Sequence, residues 1–284
     1  MQGKIVLVTG ATNGIGKEAA RGLAKLGAQV VIVGRNPQKT EETAKEIIQT
    51  TGNDRVDWII ADLSVLAGIR STADQFTAKY ARLDVLLNNA GAFFAERQTS
   101  ADGFEMTFAL NHLSYFYLTH LLLDILKASA PSRIVSVSSD AHRAGRGDVS
   151  GWPNPSRYNG FAAYSNSKLA NVLFTAELAR RLKGTSVTAH VMHPGFVRTG
   201  FGRNNRGLMS SIIAFMQRWA LTPEQGADTA IYLASAPEVA HTSGKYWVKR
   251  QAVAPHLLAQ DQDYARKLWE LSERIITEKA FVPA

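Results

Sequence analysis

The chain of 284 residues has no cysteine. That excludes disulfides, thiolate nucleophiles and cysteine-ligated zinc, and it fits a cytoplasmic setting. No apolar run reaches membrane-spanning length. The best candidate, Tyr115 to Leu126, is interrupted by His120 and Asp124 and suits a buried helix. No signal peptide is evident, because Lys4 to Val8 runs at once into a glycine turn. The expectation is a cytoplasmic protein without an integral membrane segment. Histidines are few. Only His190 and His193 stand at HxxH spacing, in a strand pattern where residues three apart point to opposite faces, so no metal site is expected. Acidic residues are outnumbered, 24 against 32 Lys and Arg, giving a formal net charge of +8. The basic residues are scattered among acids, as at Arg266-Lys267 near Glu270 and Glu273, which suits a solvated surface and not a nucleic-acid footprint. Repeats and low-complexity linkers are also missing, so one domain is expected.

What is present is an alternation of short apolar runs with longer amphipathic ones. Strands are expected at Lys4–Thr9, Gln29–Val33, Val56–Ala61, Val85–Leu87, Arg133–Val137 and Ser186–Val191. Between them, helices are expected at Gly14–Leu26, Pro37–Thr50, Leu66–Tyr80, Gly103–Ala128 and Ala162–Leu182. Most of the strands are continuous Val/Ile/Leu runs, which mark a parallel sheet covered on both faces. The fold class is therefore α/β: a Rossmann-type, doubly wound parallel β-sheet. Two segments stand outside the alternation. His142 to Gly160 is a long loop ahead of the last of these helices. Residues 200–222 carry an apolar stripe from Leu208 to Trp219, either a helix docked on the core or a lid over an apolar substrate. Residues 250–284 form a C-terminal extension.

Between the first strand and first helix lies Thr9-Gly10-Ala11-Thr12-Asn13-Gly14-Ile15-Gly16. Gly10 permits a tight turn, Gly14 lets the backbone approach a pyrophosphate, and Gly16 allows close helix–strand packing. The phosphates would meet the amide-rich, positive end of the helix. The second strand ends in Gly34-Arg35, where an NAD site would carry Asp or Glu. A guanidinium accepts a 2′-phosphate that a carboxylate would repel, so NADP(H) is the expected cofactor. Lys17 and Lys39 are weaker helpers.

Tyr164 and Lys168 lie one helical turn apart on one face. An ammonium beside a phenol is expected to lower the tyrosine pKa, which suits a general acid serving a carbonyl oxygen. With eight tyrosines in the chain, such a pair alone is weak evidence.

Taken together these residues resemble the short-chain dehydrogenase/reductase family over nearly the whole chain. Its motifs follow in order: the glycine turn, Asp62-Leu63, Asn88-Asn89-Ala90-Gly91, Asn111, Ser136-Val137-Ser138-Ser139, Tyr164-x-x-x-Lys168 and His193-Pro194-Gly195-Phe196-Val197-Arg198-Thr199. Gly14-Ile15-Gly16-Lys17-Glu18, Leu110-Asn111-His112-Leu113 and Ser167-Lys168-Leu169-Ala170-Asn171 resemble the retinol-dehydrogenase-like branch, which is mostly NADP-dependent. The resemblance implies that Asp62 bonds the adenine edge, with a backbone contact from Leu63. It implies that Asn88 braces the central strands, that Asn89 lines the cofactor path, and that Ala90 and Gly91 pack near the adenosine ribose. Pro194 and Gly195 break the chain after the sixth strand, and the Val197 backbone and Thr199 hydroxyl hold the nicotinamide carboxamide. Tyr164 protonates the carbonyl oxygen and Ser139 hydrogen-bonds it. Lys168 binds the ribose hydroxyls, and Asn111 holds a water linking Lys168 to solvent. Ser138 and Ser139 cannot both face the site, since successive strand residues point apart; the family pattern selects Ser139.

The expected activity is an NADPH-dependent carbonyl reductase or alcohol dehydrogenase. Phe93, Phe94 and Trp152 near the mouth suggest a hydrophobic ketone, aldehyde or alcohol. Alternatives are reduction of a carbon–carbon double bond, as in protochlorophyllide reductases, and a non-catalytic NADPH-sensing protein. The former uses cysteine, absent here, and the latter usually lacks the tyrosine or lysine. The apolar helices over Phe116–Leu126 and Leu169–Leu182 could pair in a homo-oligomer or be core.

Overall fold

A computed structural model describes residues 1–197 and 220–280. The continuous apolar runs become parallel strands: β1 (Ile5–Thr9), β2 (Gln29–Gly34), β3 (Val56–Ile60), β4 (Val85–Asn88), β5 (Ser132–Val137) and β6 (Val187–His193). Two short strands, β7 (Tyr246–Val248) and β8 (Gln251–Val253), were not expected from the sequence. The eight form one sheet in the order β3-β2-β1-β4-β5-β6-β7-β8, parallel throughout except for the antiparallel β7–β8 hairpin. Strand order reverses between β1 and β4, which opens a crevice at the carboxyl ends of those two strands.

Helices cover both faces. Alternate residues of one strand serve opposite cores, as the two-residue period requires. Val6, Val8, Val30 and Ile32 pack beneath α1 (Gly14–Lys25), α2 (Pro37–Thr51) and α8 (Pro223–Ser235). Leu7, Val31, Val33 and Leu86 face α3 (Leu66–Lys79), α7 (Gly160–Arg181) and α9 (Gln262–Ala280). Helix ends carry local stop and start signals: Asn36 caps α2 through the Lys39 amide with Pro37 in the first turn, and Gly52 ends it at φ 68°.

The helix expected over Gly103–Ala128 is not one helix. Glu105 caps α4 (Met106–Phe108), a π-helical turn spans Ala109–Leu113, and α5 (Ser114–Leu121) and α6 (Leu123–Ala128) follow. The π turn holds Asn111. Helix α9 packs on α7 and reaches α5, with the Trp269 ring 4.9 Å from Phe116 and 6.0 Å from Phe174. No helix among the described residues is long and apolar enough to cross a membrane. Thr199 and the Leu208–Trp219 stripe lie outside the described residues.

Candidate active site

The glycine turn is built by close approach. Gly10 has φ +63°, and a Cβ there would lie 2.7 Å from Ala90 Cα. A Cβ on Gly16 would come within 2.3 Å of Asn89 Nδ2 and 2.6 Å of the Gly10 carbonyl oxygen. Gly14 begins α1 at φ +53°, with Asn13 capping it by accepting from the Gly14 amide at 2.9 Å. Thr12 presses its methyl against Gly34, where a Cβ would sit 2.4 Å away, and Ile15 flanks Gly226. The turn is tied to β4 by Asn89, whose Nδ2 donates to the carbonyls of Thr9 (2.8 Å) and Gly10 (3.1 Å). Thr9 Oγ1 accepts from the amides of Asn89 and Ala90. The bracing expected of Asn88 is thus performed by its neighbour. Asn88 points to the other side, as strand alternation dictates, and donates to Thr119 on α5 at 3.0 Å.

At the ends of β2 and β3, Arg35 and Asp62 stand together. The Arg35 guanidinium is 3.9 Å from the Asp62 carboxylate and its side chain is 79% exposed, so it is free to turn toward an anion. Asp62 accepts from the Ser64 amide (2.9 Å) and hydroxyl (2.7 Å), and Leu63 is buried beside it. Lys17 is engaged with Glu46 at 2.5 Å, while Lys39 is exposed. The residues present fit a dinucleotide: a glycine turn packed so closely on Ala90 and Asn89 that a Cβ at Gly10 or Gly16 would clash, a helix N-terminus, and an exposed Arg35–Asp62 pair at the neighbouring strand ends.

At the end of β5 the two serines point to different surroundings. Ser138 is buried and its hydroxyl donates to the Lys168 backbone carbonyl at 2.7 Å. Ser139 faces the crevice, accepts from the Ala141 amide at 3.2 Å, and shares a hydrogen bond with the Tyr164 side chain. Lys168 reaches the same place from α7. Its Nζ donates to the Val137 carbonyl at 3.2 Å and stands 5.7 Å from the Tyr164 ring centre and 6.0 Å from that of Tyr115. A Cβ on Gly91 would meet Asn111 Oδ1 at 3.1 Å and Lys168 Nζ at 3.5 Å, so the β4 loop closes directly over these groups. The Asn111 side chain is fully used: Nδ2 donates to the Ala92 carbonyl and Ser167 Oγ, both at 3.0 Å, and Oδ1 accepts from the Ala92 amide.

The electrostatics correct one expectation. Burial pushes the Tyr164 phenol up to about 12, opposed only in part by the Ser139 hydrogen bond, so it is neutral at working pH. Burial also lowers Lys168 to about 8, leaving it mostly an ammonium at neutral pH.

Beyond β6, Gly195 turns at φ +85° and Val197 forms a parallel bridge with Leu221. Phe93 lies edge-on to Tyr164, ring centres 5.9 Å apart. Phe94 is buried, with its carbonyl accepting from the Tyr158 hydroxyl, and Trp152 is buried against Tyr264. Trp152 lines a cavity with Phe108 and with Ala163 and Ser167, the residues on either side of the Tyr164 turn. His190 turns to Trp247 and His193 to the Asp140 amide, as their spacing implied, and no metal-binding group of three side chains occurs among the described residues. Sequence reasoning missed Asn171, which shares the Val137 carbonyl with Lys168, and His142, which bonds the Ser139 carbonyl. Asn171 stood in the run Ser167 to Asn171 that resembles the family branch but carried no role there, and His142 fell in a loop with no pattern to mark it.

A doubly wound sheet with a phosphate cradle at its switch point and a Ser–Tyr–Lys cluster beside it defines an NAD(P)-dependent oxidoreductase acting on CH–OH groups. The short chain dehydrogenase family profile matches residues 4–207. Human retinol dehydrogenase 13 is 45% identical over 96% of this chain and 85% of its own length. A putative uncharacterized protein of Mycobacterium paratuberculosis is 34% identical with a TM-score of 0.78, covering 97% of this chain and 94% of that one. The RhlG/NADP active-site complex of Pseudomonas aeruginosa is 31% identical with a TM-score of 0.69, covering 87% and 94%. The chain belongs to the short-chain dehydrogenase/reductase family and is retinol-dehydrogenase-like.

Proposed function

We propose that this protein is an NADP(H)-dependent carbonyl reductase and alcohol dehydrogenase for hydrophobic ketones, aldehydes or alcohols. The observation that carries the reading is the meeting of Ser139, Tyr164 and Lys168 beside the Gly10 cradle. When bound, the nicotinamide supplies or takes up the hydride. Tyr164, neutral at working pH, holds the proton that a new alkoxide requires. Ser139 donates to the same oxygen and aims the carbonyl. The Lys168 ammonium anchors ribose hydroxyls and favours negative charge on the phenol oxygen in the transition state. Asn111 serves by locking the β4 loop to α7, and its π turn distorts the helix where proton traffic to Lys168 would pass. Gly10, Thr12, Asn13, Gly14 and Ile15 hold the pyrophosphate. Arg35 takes the 2′-phosphate, Asp62 and Leu63 the adenine, and Asn89, Ala90 and Gly91 line the ribose. Pro194 and Gly195 turn the chain along the cofactor after β6, and the Val197 backbone and Thr199 hydroxyl hold the carboxamide. A relative named as a retinol dehydrogenase favours an apolar alcohol or aldehyde as substrate. The test is Tyr164→Phe assayed by NADPH oxidation with aromatic ketones and aldehydes. Turnover should fall about a hundredfold or more while NADPH binding persists; a variant that keeps its turnover sinks the proposed acid.

A further inference from the structure

Ser139 owes its place to the turn that begins at its own carbonyl. The Ser139 carbonyl accepts from the His142 amide at 3.1 Å and from His142 Nδ1 at 2.8 Å. A carbonyl only accepts, so Nδ1 of His142 must carry the proton. The opposite nitrogen, Nε2, accepts from the His256 amide at 3.2 Å, and a backbone amide only donates. His142 is therefore fixed as one neutral tautomer, joining the catalytic turn to the loop that follows β8. The next residue is held in the same way: the Asp140 amide donates to His193 Nδ1 at 3.1 Å, which requires a lone pair there. One imidazole thus grips the carbonyl of Ser139, and a second grips the amide after it.

We propose that His142 and His193 are positioning residues for Ser139: as neutral imidazoles they clamp the Ser139–Asp140 turn, and protonation loosens it by taking the acceptor of the Asp140 amide from His193 and by cutting His142 from the His256 amide that anchors it. The proposal rests on the reading of Ser139 as the carbonyl-orienting hydroxyl. An imidazolium has a proton on both nitrogens, so it would turn an N–H toward the His256 or Asp140 amide and replace a hydrogen bond with a donor–donor clash. The groups facing the clamp are Asp140 and Arg143 of its own turn, His256 across the loop and Tyr246 of β7, whose ring lies 4.9 Å from that of His142. Burial, set against Asp140, keeps both histidines below their ordinary pKa of 6.5. At neutral pH the clamp is closed. It opens as pH falls through those lowered values.

The test compares His193→Asn, His193→Leu and Ser139→Ala with the wild type, reading kcat and KM for an aromatic ketone with NADPH from pH 5 to 8, and NADPH affinity by fluorescence. The Asn oxygen can accept the Asp140 amide but does not titrate. His193→Asn should keep neutral-pH kcat within about twofold and move the acid limb of kcat, whereas His193→Leu should lose about tenfold or more in kcat with NADPH affinity unchanged. If Ser139→Ala loses activity while His193→Leu keeps the wild-type kcat and pH profile, the clamp is overturned and the Ser139 reading stands. If Ser139→Ala itself is fully active, both fall.

Discussion

Lys168 illustrates how a functional residue taxes the fold that carries it. Its ammonium is 4% exposed, and burial lowers its pKa from 10.5 to about 8. The sign follows from which state holds the proton. Below about pH 8 the lysine is charged both folded and unfolded, so the folded state bears the whole desolvation penalty, at most about 3 kcal/mol. Between pH 8 and 10.5 the folded lysine is neutral while the unfolded one is still charged, and the penalty fades. Lys168→Met should therefore raise the urea midpoint at pH 7, lose that advantage near pH 10.5, and abolish turnover. A variant less stable than wild type at pH 7 would mean that the Val137 carbonyl and the rings of Tyr115 and Tyr164 more than offset the burial. At this scale the sequence was only half legible. Residue type and spacing identified Tyr164 and Lys168, and alternation separated Ser138 from Ser139. Burial did not appear in spacing, so the raised tyrosine pKa was missed. That Asn89 and not Asn88 ties β4 to the glycine turn also depended on which side of β4 each one leaves.

Elements with long, periodic patterns were read almost to their ends, whereas elements set by tertiary contact were not. The hairpin β7–β8 turns on Lys249 and Arg250, both at positive φ, instead of the Asn-Gly pair that advertises such a turn. Arg250 is held there by Asp228 on α8, a partner 22 residues away that no local pattern could supply. The π turn at Asn111 sits in an apolar run with no proline or glycine to mark it, so the run looked like one continuous helix. Helix α9 was likewise left within an unassigned extension, yet it docks on the centre of α5 and α7. Trp269 contributes most, wedged between Phe116 and Phe174 with the Arg181 guanidinium 4.3 Å over its ring, while Ser272 meets the buried His112 at 2.9 Å. Trp269→Ala should cost about 3 kcal/mol, since neighbours drawn from two separate helices cannot collapse together to fill the space. Urea unfolding followed by circular dichroism should give a lower midpoint with an unchanged slope; a shift under about 0.5 kcal/mol would mean that α9 is only loosely docked.

Across the whole molecule, every candidate site residue of the described chain falls at the carboxyl edge of the sheet or on a helix closing over it. The turn after β1, Arg35 after β2, Asp62 after β3, Asn89 after β4, Ser139 after β5 and Pro194 after β6 come from six separate chain segments. A dinucleotide spanning that edge would bind the folded chain and find nothing comparable in the unfolded one, so binding should appear as stability. At a hundred times its dissociation constant a ligand adds about 2.7 kcal/mol, which for a chain of this size is a rise of about 5 °C in Tm. NADPH should give that shift and NADH a smaller one at equal concentration, because only the former offers the exposed Arg35 guanidinium a 2′-phosphate. In Arg35→Asp a second carboxylate joins Asp62 at the same edge, and the order should invert: the NADPH shift shrinks by repulsion while the NADH shift is kept or grows. Equal shifts from both cofactors in the wild type, or an unchanged order in the variant, would remove Arg35 from the phosphate site and leave the choice of cofactor to another part of the edge.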